Sequence, residues 1–234
     1  MKSGLIVWFR PVSMFSVQER ARVFPFIGFI LLLAAEPLLK TGLTSIGLSV
    51  QLTYVLRTLL AVCVLFYYRE HYIELVQRPR VHHVFWALLS GLIVFLLWIL
   101  PYPEWIGSKK SGSFAIPIMG NPADLFWLAC RWTGSALIVP VIEELFWRSY
   151  LMRKLDASDF MAVSPVTASA YAVVASSVLF AVEHQLWLAG LLAGLVYACL
   201  YRRFQLLWVS VLAHMTTNAI LGMWVIAGGH WLYW

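Results

Sequence analysis

Val139-Pro140-Val141-Ile142-Glu143-Glu144-Leu145-Phe146-Trp147-Arg148 sets two carboxylates and a guanidinium inside an apolar run that extends from about Ala123 to Leu155. A charged side chain at the centre of a membrane helix costs roughly 2.5–3.5 kcal/mol on insertion scales. Three of them, unpaired and facing lipid, would cost about 8–10 kcal/mol. The stretch therefore belongs in a bundle interior where its charges find partners. Glu144 and Arg148 are four residues apart and can pair on one helix face. Glu143 sits about 100° around the helix and needs another partner. The run is too long for one straight span and contains Pro140. It reads as a leading segment followed by a helix from about Ser135.

The rest of the chain fits the same solvent. Its 234 residues (26.6 kDa) are 62% hydrophobic and 12% charged, with a mean hydropathy of +0.80. Soluble domains sit near half apolar and a quarter charged, so a typical soluble protein and a disordered chain are both excluded. The sequence pI is near 9.4, but Lys and Arg are spread thinly between apolar runs and form no basic stripe, which argues against nucleic-acid binding. The fold class is all-α, a polytopic transmembrane helical bundle of about seven spans. These run about Val23 to Leu39, Val50 to Tyr68, Val84 to Leu100, the helix from Ser135, Thr167 to His184, Leu186 to Tyr201 and Leu206 to Ala227. An eighth span, or a re-entrant piece, near Leu125 to Arg131 is the alternative count. Residues 1–234 read as a single membrane domain. Residues 1–22 form a basic interfacial segment rather than a signal peptide, because the apolar patch Leu5 to Phe9 is broken by Arg10 and Pro11. Pro101 to Pro122 has the composition of an exposed connection. Cys63, Cys130 and Cys199 lie in apolar stretches with no metal or disulfide spacing, and read as small buried hydrophobes.

With seven spans, most of the positive charge alternates onto one side: the N-terminus, then Arg69, Arg78 and Arg80, then Arg153 and Lys154, then Arg202 and Arg203. The positive-inside rule makes that side, and the N-terminus, cytoplasmic. Lys40, Lys109 and Lys110 are exceptions. The aromatic tail from His230 to Trp234 falls outside and suits an interfacial belt.

Two further polar groups sit in apolar runs. Phe180-Ala181-Val182-Glu183-His184 ends the fifth span, and His214-Met215-Thr216-Thr217-Asn218 lies in the seventh. His214 and Asn218 are one turn apart on one face. Taken singly, each has a structural reading. Glu144 and Arg148 can be a packing pair, His184 an interfacial residue, and His214 with Asn218 interhelical hydrogen-bond glue. Glu36 and Arg57 read as interfacial or packing charges, and Gly190 with Gly194 as a face for close helix packing. His71, His82, His83 and His230 read as solvated. Taken together, a carboxylate, two imidazoles and an amide converging in a bundle could activate a water. The carboxylate or an imidazole would be the base, with Asn and His donating to a developing oxyanion.

The ordered set Glu143-Glu144-x-x-x-Arg148, Phe180-x-x-x-His184 and His214-x-x-x-Asn218 resembles the CAAX-protease and bacteriocin-processing family of intramembrane endopeptidases, over about residues 130–225. The residues around Glu143 look most like a bacterial branch associated with exosortase-type surface-protein sorting, which implies a multi-pass protein of a bacterial inner membrane. The resemblance implies that Glu143 activates water with His184, and that His214 and Asn218 stabilise the tetrahedral intermediate. Glu144 and Arg148 would orient these groups, and Phe180 would pack or touch substrate. The implied partner is a membrane-associated protein or peptide substrate in the lipid bilayer. One departure is Ser149, where many members have Gly. Glu143, His184 and His214 could hold zinc with an open position. No His-Glu-x-x-His is present, and Glu183 and His184 point about 100° apart, so a metal-free mechanism is slightly favoured. The rival readings are a non-catalytic scaffold or immunity-type protein and a proton-coupled transporter.

Overall fold

The computed structural model describes residues 15–49, 51–103, 105 and 121–233. Most of the basic N-terminal segment and most of the Pro101–Pro122 connection, with Lys109 and Lys110, lie outside the described residues. Eight helices carry the fold: α1 Val17–Ala34, α2 Glu36–Ser45, α3 Leu52–Tyr67, α4 Val81–Trp98, α5 Pro122–Lys154, α6 Ala170–Val182, α7 Trp187–Phe204 and α8 Leu207–Gly228. No strand occurs among the described residues.

Local chemistry sets the ends. Ser16 and Glu19 exchange hydrogen bonds across the first turn of α1, so two terminal N–H groups are satisfied. Asn121 caps α5 with Pro122 at its first position, and Ser169 caps α6. α7 stops where Gln205 turns left-handed (φ 53), and α8 stops at Gly229 (φ 68).

Two elements differ from the sequence reading. The first expected span is bent by 60° between α1 and α2. The expected break before Ser135 is absent, and α5 is one helical run of 33 residues. Pro140 is accommodated because α5 widens just before it. Residues Gly134–Ile138 form a π turn in which the Val139 N–H reaches the Gly134 carbonyl. Pro140 then begins a fresh α turn, where a missing N–H is tolerated. By length and apolarity, three described helices can cross a bilayer, α4, α5 and α8, or four if α1 and α2 form one bent span. α3 and α6 are shorter apolar helices, and α7 ends on Arg202 and Arg203.

α8 packs along α4, α7 along α6, and α1 along α3, with α5 between α1 and α8. Gly91 of α4 fixes the closest approach: a Cβ there would lie 2.4 Å from the Ala213 carbonyl oxygen and 2.6 Å from the Thr216 Cβ. Gly194 of α7 does the same against Ser177 of α6, at 3.1 Å. Arg57 pairs with Glu36 at 3.1 Å, so both of these charges are internal to the α2–α3 end of the molecule.

Candidate active site

The π turn has a consequence for Asn218. Because Val139 bonds to Gly134, the next carbonyl, Ser135, faces Pro140, which has no N–H to give. Asn218 Nδ2 supplies the missing bond at 2.9 Å. Trp132 Nε1 donates to the Ala219 carbonyl at 3.1 Å and adds a second tie between α5 and α8. One Asn218 N–H is thus committed to the backbone, while its second N–H and its Oδ1 remain.

Glu144 and Arg148 are fully buried. Their closest approach is 3.4 Å, Arg148 Nε to Glu144 Oε2, and the guanidinium also lies 4.8 Å over the Phe180 ring. The other Glu144 oxygen, Oε1, lies 3.1 Å from His214 Nδ1. With a guanidinium facing the carboxylate, Glu144 accepts and the His214 Nδ1–H donates. His214 Nε2 therefore faces Glu143, whose Oε2 is 3.9 Å away and has no direct hydrogen-bond partner. One imidazole thus spans the two adjacent carboxylates, a link that helical spacing alone does not reveal.

His184 sits in the turn after α6. Its Nδ1 is 2.8 Å from the Phe180 carbonyl oxygen. A carbonyl only accepts, so Nδ1 carries the proton and Nε2 keeps a lone pair. Gly190 of α7 permits the close approach behind this ring, since a Cβ there would be 3.2 Å from the His184 Cβ. Trp98 meets the ring edge to face at 5.2 Å. Tyr197 stacks on His214 at 4.8 Å and 19°. Its hydroxyl donates to Thr217 Oγ1 at 2.9 Å, and Thr217 can in turn donate to the Gly91 carbonyl at 2.9 Å.

Glu143, His184, His214 and Asn218 line one cavity of about 220 Å³, with Phe180, Tyr197, Thr217, Ser135 and Trp98 among its walls. Glu144 and Arg148 stand behind that wall. Tyr197 and the Ser135 carbonyl escape a motif search, because an apolar stretch containing a tyrosine and a lone carbonyl carry no spacing signal. Among the described residues no three His, Cys, Asp or Glu side chains converge to hold a metal ion. The Glu143, His184 and His214 set does not fit one as arranged. Ser149, the departure noted in the sequence, is fully buried. Its hydroxyl joins Arg22, Glu74 and Arg153 in a polar junction between α1, the segment after α3, and α5.

An all-α bundle of apolar helices enclosing a carboxylate–imidazole cavity defines an integral membrane protein with a buried polar site. Residues 124–220 match the family described as type II CAAX prenyl endopeptidase Rce1-like. That segment contains all three motifs and supports the CAAX-protease resemblance read from them. No curated protein and no solved structure matches the chain.

Proposed function

We propose that the chain hydrolyses a peptide bond in a membrane-associated protein, using water activated by Glu143. The observation that carries this reading is the placement of Glu143 Oε2 3.9 Å from His214 Nε2 inside a cavity that His184 and Asn218 also line. That gap is too long for a direct hydrogen bond and suits a water held by both groups. Glu143 takes the water proton as the oxygen attacks the scissile carbonyl carbon, and later returns it to the leaving amine. The His184 Nε2 lone pair accepts the water's second hydrogen and orients it. His214 keeps Nδ1–H on Glu144 and turns Nε2 toward the reacting oxygen, with the free Asn218 N–H as donor to the oxyanion. The N-terminus is assigned to the cytoplasmic side by its charge.

The test is cleavage of a membrane-anchored peptide library by the detergent-purified protein and by Glu143→Gln. Cleavage by the wild type, with a loss of at least ~10²–10⁴-fold in the variant, is expected. No cleaved peptide, or equal cleavage by the variant, overturns the reading.

A further inference from the structure

A second concavity lies outside the cavity described above. Trp86 of α4 and Leu195, Val196, Cys199, Leu200, Arg203 and Phe204 of α7 line a groove of about 500 Å³. Its walls are apolar except at one end, where Arg203 enters the lining. The rim there is basic from two directions. The Arg203 guanidinium lies 5.4 Å over the Phe204 ring, and His83 meets the same ring at 5.4 Å. Arg80 and His82 flank His83 at the start of α4. The Arg80 backbone N–H donates to His83 Nδ1 at 3.1 Å, so the hydrogen of a neutral His83 ring is on Nε2, ready to donate. None of the ion pairs among the described residues involves Arg80, Arg202 or Arg203. An apolar slot ending in cations without counter-charges matches one kind of molecule: a long hydrocarbon chain ending in an anion.

We infer that this groove binds an anionic phospholipid, with one acyl chain against Trp86, Val196 and Cys199 and the phosphodiester on Arg80, His83 and Arg203. A bilayer offers acyl chains to every outward face, so the headgroup decides. A zwitterionic lipid would bring its own cation to a rim that already carries the Arg203 guanidinium, with Arg80 only three residues before the rim histidine His83, whereas a phosphodiester monoanion brings negative charge to it. The assignment is independent of the catalytic reading, because nothing in it involves Glu143 or its cavity.

The test is native mass spectrometry of the full detergent-purified chain with equal amounts of phosphatidylglycerol and phosphatidylcholine of identical acyl chains. Preferential retention of phosphatidylglycerol is expected. Each of Arg80→Gln and Arg203→Gln should weaken it about fivefold, and the pair about 25-fold, as expected for one basic side chain each near a lipid surface. Arg69→Gln removes the same charge from a site paired with Glu70 and should change nothing. Cys199→Trp, at an exposed position in the groove wall, should reduce retention of both lipids by filling the slot. Leu195→Trp serves as a second filler, and a detergent melt checks each variant's fold. Equal retention of the two lipids, or a preference that survives Arg80→Gln/Arg203→Gln, overturns the inference. Displacement by millimolar inorganic phosphate overturns the role of the groove, because the rim alone would then suffice. Displacement by a farnesylated peptide overturns the occupant, because the groove would then belong to a protease substrate.

Discussion

Glu143 and Glu144 are neighbours in sequence with opposite surroundings, and that contrast predicts opposite phenotypes. Glu143 Oε2 makes no hydrogen bond and faces the cavity. Glu143→Gln therefore removes the base and little else, and the expected product is a folded protein with activity lowered at least ~10²-fold. Glu144 faces Arg148 on one oxygen and His214 on the other, with no exposure. Glu144→Gln strands a buried guanidinium, a loss of about 3–5 kcal/mol, so yield and melting temperature should fall along with activity. Arg148→Ala should behave like Glu144→Gln, and the double variant should cost less than the sum of the two. A detergent melt and a cleavage assay on the four proteins check this; a destabilised Glu143→Gln beside a stable, inactive Glu144→Gln would reverse the two roles. The anomalous charges made most of these residues legible in the sequence, since a bilayer penalises each of them. The contact between His214 and Glu144 was not legible. Spacing fixes partners along one helix, and this pair is made across two.

At the scale of the element, α5 shows how a helix break read from sequence becomes a binding feature. Periodicity marked the length of the run and Pro140 as a conflict, but a π turn leaves no compositional trace, so the continuous helix was hidden. The same turn gives Asn218 its place. Pro140→Ala would supply a backbone N–H for the Ser135 carbonyl and release the Asn218 amide. Asn218→Leu should thus cost about 1–3 kcal/mol in the native background, where it strands that carbonyl, and clearly less in the Pro140→Ala background. A double-mutant cycle by thermal melts checks the coupling, and additive losses would contradict it. The α4–α8 contact gives a second element-scale prediction. Gly91→Ala puts a methyl group 2.4 Å from the Ala213 carbonyl oxygen, a backbone atom that cannot step aside. The overpacking should cost about 1–3 kcal/mol. Because α8 carries His214 and Asn218, activity should drop by more than the fraction unfolded. Measuring both on one preparation separates the two effects.

At the scale of the whole molecule, charge is sorted by end. Lys154 binds Glu19 at 2.6 Å, and Arg22 binds Glu74 and the His71 carbonyl. The starts of α1 and α4 and the ends of α3, α5 and α7 therefore share one face with Arg69, Arg78, Arg80, Arg153, Arg202 and Arg203. Lys40, Arg57 and Arg131 lie toward the opposite end, with α2 and the first turns of α3 and α5. The sequence conveyed this asymmetry through loop charges, though it placed more full-length spans than the helices α3 and α6 supply. The cavity walls Trp98, Leu221 and Tyr233 belong to the last turns of α4 and α8 and to the segment after α8, away from the basic face. If the basic face is cytoplasmic, as the positive-inside rule requires, the cavity is approached from the extracytoplasmic half of the bilayer. Ser158 and Ser45 are exposed at the two ends. In a background with Cys63, Cys130 and Cys199 replaced, Ser45→Cys should react with an impermeant maleimide added to intact cells. Ser158→Cys should react only after the cells are opened. Labelling of Ser158→Cys but not Ser45→Cys from outside would invert the molecule and place the approach to Glu143 on the cytoplasmic side.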